Sequence, residues 1–139
     1  MSFEEKGNWV FLVVGLVTYL TYLGIILGRA EDVPLAQVPY VSTMLWTIGI
    51  AIVLSIAGNI AVAISKPSEA DKSDVRDKDI GRFGEYVGGL VLAVGMLVPF
   101  GLALAESASF WIANAMYLAF VLSALTSSVV KVVAYRRGL

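Results

Sequence analysis

The side chains with chemistry to offer are the polar ones that interrupt long apolar stretches. Tyr22, Asn59, Asn114, Ser127 and Lys131 each fall within such a stretch, and Glu85 sits at the mouth of another. An amide, phenol or ammonium facing hydrocarbon is unsatisfied unless it finds a partner. By depth these groups sort into two sets. Asn59, Ser127, Ser128 and Lys131 lie toward one side, with Glu85 level with them. Tyr22, Thr43, Thr47, Asn114 and Tyr117 lie toward the other, with Glu106 above. Glu85 is expected to pair with Lys131 across the third and fourth stretches. Asn59 is expected to act as glue between helices, the commoner role of such an amide.

Other chemistries are excluded by residue type. The 139 residues contain no cysteine and no histidine. Disulfides, thiolate metal sites, Fe–S clusters and His-ligated haem are therefore ruled out, together with the commonest general base. None of the apolar stretches contains a carboxylate, and Glu85 and Asp79 at their edge are the only acid–base candidates. No enzymatic activity and no cofactor are expected. Asp71, Asp74, Asp77 and Asp79 invite a divalent cation, but their spacing is not that of a Ca²⁺ loop and basic residues interleave them. A solvated, salt-bridged face is the better reading, so no metal site is assigned. A net charge of -1 gives no basic footprint for nucleic acid.

The elements that position these groups follow from length. With 58% hydrophobic and 15% charged residues the chain is too apolar for a soluble domain. A hydrocarbon core about 30 Å thick needs roughly 20 apolar residues of helix. Four stretches qualify: about 9–28, 41–64, 86–105 and 110–134, with a loop at 65–85. The first exceeds a signal-peptide core and follows the acid-bearing leader MSFEEKGN, so it is expected to be a retained span. The expected fold is an all-α integral membrane protein, one domain over 1–139, with four transmembrane helices in an up-down bundle. Of the ten Lys and Arg residues, only Arg29 falls on the side away from both termini. The positive-inside rule then places both termini in the cytoplasm, in a multi-pass protein of the cytoplasmic (inner) membrane.

Lipid gives helices no hydrophobic reason to associate, so small residues must let them approach. Candidate packing positions are Gly24 and Gly28 in the first span, Gly84 and Gly88 at the third, and the ladder Ala115, Ala119, Ser123 in the fourth. Pro99 cannot donate to the carbonyl of Gly95, which marks these two as a candidate hinge. Within 65–85, Ser73 is a candidate cap for a short surface helix from Asp74, paired through Asp74–Lys78. That helix is expected to turn into the membrane at Gly81, Gly84 and Gly88.

The stretch DVRDKDIGRFGEYVGGLVLAVGML and the closing WIANAMYLAFVLSALTSSVVKVVAYRRG resemble a family of small bacterial and archaeal multi-span membrane proteins of unknown function. In that family an Asp-x-Arg-x-x-x-Ile pattern introduces a transmembrane hairpin. Asp74, Arg76 and Ile80 match it, and the resemblance covers residues 74–138. It implies a membrane protein without assigned activity and supplies no catalytic residue. The expected function is a non-enzymatic accessory, assembly or regulatory subunit acting through helix–helix contacts. The alternative is a small oligomeric transporter or channel for a neutral or lipid-like substrate. Expected partners are membrane lipids and a second copy or another membrane protein.

Overall fold

The computed structural model describes residues 3–65 and 75–138. Among them there are helices and no strands: α1 (Phe3–Arg29), a short 3₁₀ turn (Leu35–Gln37), α2 (Val41–Ser65), α3 (Val75–Gly95), α4 (Leu97–Leu104) and α5 (Ser109–Arg137). Counting α3 and α4 as one span, four helices are long and apolar enough to cross a membrane.

Helix ends carry the expected electrostatics. Glu4 and Glu5 sit in the first turn of α1 and Arg29 in its last, the arrangement the helix dipole favours. At the end of α5, Arg136 and Arg137 do the same. Gly138 then closes the helix with φ 72°, its N–H donating to the carbonyl of Ala134.

Two boundaries differ from the sequence reading. The first helix begins at Phe3, not near Trp9, because the leader folds as its first turns, with Asn8 donating to the carbonyl of Glu4 at 3.0 Å. Among the described residues the expected surface helix with a turn at the glycines does not occur. Instead α3 runs unbroken from Val75 through Gly81, Gly84 and Gly88. The reason is its contact with α5. Ile80 is buried, Arg76 donates to the carbonyl of Tyr135 at 3.1 Å, and Tyr135 donates to Asp77. Ser73 and Asp74, with the proposed cap and the Asp74–Lys78 pair, lie outside the described residues, as does Asp71.

The third span breaks at Met96. Pro99 has no N–H for the carbonyl of Gly95, and α3 ends there. Met96 (φ −70°, ψ −14°) links to α4, and Phe100 resumes the ladder by donating to Met96 at 3.1 Å. The Pro99 ring is fully buried.

The distribution of polarity is inverted relative to a protein in water. Buried positions include Thr18, Thr43, Thr47, Ser55, Ser127 and Ser128, while Leu45, Trp46, Val53, Leu97 and Phe100 are exposed. In hydrocarbon this is the favourable arrangement, since hydroxyls gain from protein partners and aliphatic chains lose nothing to lipid.

The helices form an open layer. Helix α5 is the hub, lying against α1, α3 and α4, whereas α2 rests on α1. Contact between α2 and α5 is marginal, so a groove floored by α1 runs between them.

Candidate functional site

The α3–α5 seam is built from small residues. A Cβ on Gly84 would strike the Lys131 side chain at 2.5 Å. One on Gly88 would meet the Ser127 Cβ at 3.0 Å and the Ser123 carbonyl oxygen at 3.1 Å, and one on Gly95 the Ala119 Cβ at 3.1 Å. Ser123 donates to the carbonyl of Gly88 at 2.7 Å. Ala119 is buried and Ala115 partly so. Gly24 and Gly28 are different: both are exposed and a Cβ on either would meet nothing within 4 Å. The first-span GxxxG is therefore not a packing seam within the chain. The reason is position, because α1 turns other faces to α2 and α5.

At the end of the layer away from the termini, Tyr22 is completely buried and its hydroxyl donates to Asn114 Oδ1. Asn114 donates in turn to the carbonyl of Phe110 at 2.8 Å. The Thr47 and Tyr117 hydroxyls are 3.1 Å apart. The Tyr117 ring meets those of Tyr19 and Tyr22 edge-on at 5.1 and 5.0 Å, a favoured geometry. Thr43 departs from this group and accepts from Arg29 at 2.8 Å. Glu106 lies exposed on the α4–α5 turn with φ 57°.

At the other end the structure brings Glu85 and Lys131 together, with Nζ 2.6 Å from Oε1. The Lys131 side chain is 15% exposed and that of Glu85 73%, so the ammonium is recessed behind the carboxylate. Asn59 donates to the carbonyl of Ser55 on its own helix at 2.8 Å. Its Oδ1 lies over Gly7 of α1, where a Cβ would come within 2.7 Å. Asn59 thus makes a close helix crossing and does not bond Ser127 or Lys131. All three nevertheless line one polar chamber of about 470 Å³, with Glu4, Asn8, Glu85 and Ser128.

An apolar groove of about 800 Å³ adjoins the chamber. It lies between Met44, Ile48 and Ala51 of α2 and Tyr117, Val121 and Leu125 of α5, over Gly15 and Thr18 of α1. Phe11, Phe120 and Ala124 line both spaces. The two spaces thus adjoin at these residues, the groove apolar and the chamber charged and nearer both termini.

Sequence reasoning missed three contacts at that end. Glu5 is buried and lies 3.0 Å from Arg136 Nε. Arg76 sits over the Tyr135 ring at 5.5 Å. Asp77 accepts from Tyr135. A usable signal existed for Glu5: two acids just before an apolar run are a helix start, which would have extended α1 to the level of the basic end of α5. Among the described residues no three Asp or Glu side chains are placed to hold a metal ion.

The arrangement offers binding groups: an ion pair, amides and hydroxyls closing one end of a lipid-facing groove. No protein-family model matches the chain, and no curated protein or solved structure is significantly similar to it.

Proposed function

We propose that the chain is a four-span protein of the cytoplasmic (inner) membrane, threaded up and down with both termini in the cytoplasm. In this reading it acts as a non-enzymatic accessory, assembly or regulatory subunit through helix–helix contacts, in keeping with the family that residues 74–138 resemble. The observation that carries the reading is the open GxxxG of α1. Gly84, Gly88 and Gly95 of α3 are spent on α5, yet Gly24 and Gly28, spaced as a GxxxG, face outward with open space around them. Such a face lets another transmembrane helix approach closely.

Native mass spectrometry from nanodiscs tests the contact. The wild type is expected to carry a second copy or another membrane protein. Gly24→Ile with Gly28→Ile is expected to release it. A wild-type chain that emerges alone defeats the reading. Reporter fusions test the threading: a periplasm-dependent phosphatase should be inactive at either terminus and active when inserted after Asp32.

A second reading, an oligomeric carrier or channel for a neutral or lipid-like substrate, is favoured by the groove between α2 and α5 and the polar chamber adjoining it. Flux into liposomes that is lost on Asn59→Leu or Asn114→Leu would select it.

A further inference from the structure

The groove and its charged end have a chemistry that the helix-contact reading does not use, and they lie on a different face of α1 from Gly24 and Gly28. We infer that groove and chamber together are a binding site for one aminophospholipid, with the ammonium-bearing head group in the polar chamber and an acyl chain along α5.

Length fits the tail. The apolar section follows α5 from Ala113 to Ala124, about 16 Å at 1.5 Å per residue. From Lys131 to the far end of the groove at Ala113 is about 27 Å along α5, so head group and acyl chain together reach past the midplane of a core about 30 Å thick. The lining there is aliphatic and aromatic, with Phe11 and Phe120 at the junction where the chain would meet the head group.

Charge and hydrogen-bonding capacity select the head. Among the described residues Glu4 and Glu85 line the chamber with one cation, Lys131, so a purely anionic head group is disfavoured. The recessed Lys131 ammonium, held by Glu85 at 2.6 Å, has further donors for a phosphate. The rest of the chamber asks for donors. Among the described residues nothing donates to Asn59 Oδ1, whose amide nitrogen is committed to Ser55. The Ser127 and Ser128 hydroxyls line the same space, where each can also accept. A primary ammonium brings three N–H donors to these acceptors and to the carboxylates. A quaternary choline head brings none. Phosphate for Lys131 and a primary amine for Glu4, Glu85 and Asn59 together describe an ethanolamine- or serine-type phospholipid, and the excess of acid favours the zwitterionic ethanolamine form.

The full-length protein in nanodiscs of equimolar phosphatidylethanolamine, phosphatidylcholine and phosphatidylglycerol, all with the same acyl chains, provides the test. Native mass spectrometry would read the number and class of lipids retained per chain. One phosphatidylethanolamine per chain is expected, enriched about tenfold over phosphatidylcholine, the ratio a single charge-assisted hydrogen bond supplies. Glu4→Gln with Glu85→Gln should abolish the preference, and Ala51→Phe, which fills the groove, should abolish retention. Equal retention of the three lipids, or enrichment of phosphatidylglycerol, would overturn the site. So would a preference that survives Glu4→Gln with Glu85→Gln.

Photoactivatable phosphatidylethanolamine gives a readout on the wild type that does not depend on variants folding. Adducts are expected on α1 between Phe11 and Thr18 and on α5 between Ala113 and Ala124. Adducts confined to the outer face of α2, at Leu45 and Val53, would refute the assignment. Lipid retention is scored whether or not a protein partner co-purifies, so failure here and failure of the helix-contact reading are separate results.

Discussion

Gly88→Ala is the sharpest probe of how the helices are held. Its added methyl would sit 3.0 Å from the Ser127 Cβ and 3.1 Å from the backbone oxygen of Ser123, closer than ordinary contact by a few tenths of an ångström. Neither obstacle is the loose end of a flexible chain, so the helices must part. Overpacking of this kind costs about 1–3 kcal/mol. Parting also stretches the Ser123-to-Gly88 hydrogen bond of 2.7 Å, and such bonds in membranes average about 0.6 kcal/mol. A loss of about 2–3 kcal/mol is therefore expected for Gly88→Ala, on the packing and bonding values together. Two controls bracket it. At Gly84 the clash is with the Lys131 side chain, which can swing aside, so Gly84→Ala should cost less but weaken the Glu85–Lys131 pair. At Gly24 there is no neighbour within 4 Å, so Gly24→Ala should be neutral, or stabilise by up to about 1 kcal/mol through helix propensity. Unfolding by sodium dodecyl sulfate in mixed micelles, followed by circular dichroism, ranks the three. If Gly88→Ala and Gly24→Ala unfold at the same detergent fraction, the α3–α5 seam is not what holds α3 in place.

Three further outcomes follow from the contacts. In a double-mutant cycle, Tyr22→Phe and Asn114→Leu should couple by about 0.6–1.7 kcal/mol, the range for hydrogen bonds between membrane helices; additive effects would place the two groups apart. Arg136→Ala should cost about 2 kcal/mol. Glu5 is buried and Arg136 half exposed, so the pair falls between exposed bridges worth about 0–1 and buried ones whose rupture costs about 3–5 kcal/mol. Pro99→Ala should return an N–H to the carbonyl of Gly95 and straighten the break at Met96, read as slower amide exchange over Leu97–Gly101; unchanged exchange would place the cause elsewhere than the missing donor.

The number of spans was legible because 20-residue apolar runs have one outcome in a helical chain that meets lipid. Where helices ended was less legible. Hydropathy marks the edge of hydrocarbon, not the end of hydrogen bonding, so α1 and α3 both continue past their apolar sections into charged sequence. For α3 the misreading had a specific cause. Gly81, Gly84 and Gly88 look like turn residues in sequence, but two of them are contact points for Lys131, Ser123 and Ser127. Glu85 and Lys131 could be matched by depth because each is the lone charge at its level of the span. Asn59 could not, since its partner is a glycine with no side chain to advertise it. Which GxxxG packs and which stays open was also invisible, because the motif records only that a close approach is allowed.

The allocation of polarity among the helices explains why the layer stays open. Helix α5 is the most buried of the four spans and the least hydropathic, whereas α2 is the least buried. In water a helix touching several neighbours would be the most apolar. In lipid the rule reverses, since a hydroxyl or amide is tolerated only where a neighbouring helix can satisfy it. Asn114, Tyr117, Ser123, Ser127 and Lys131 all lie on α5, and their faces meet α1 and α3. Helix α2 offers little in return: Thr47 reaches Tyr117, while Thr43 turns to Arg29 and Ser55 serves Asn59. With few polar claims on α5 and no hydrophobic force to close the gap, α2 settles mainly on α1. The groove is thus a consequence of where the polar residues were placed.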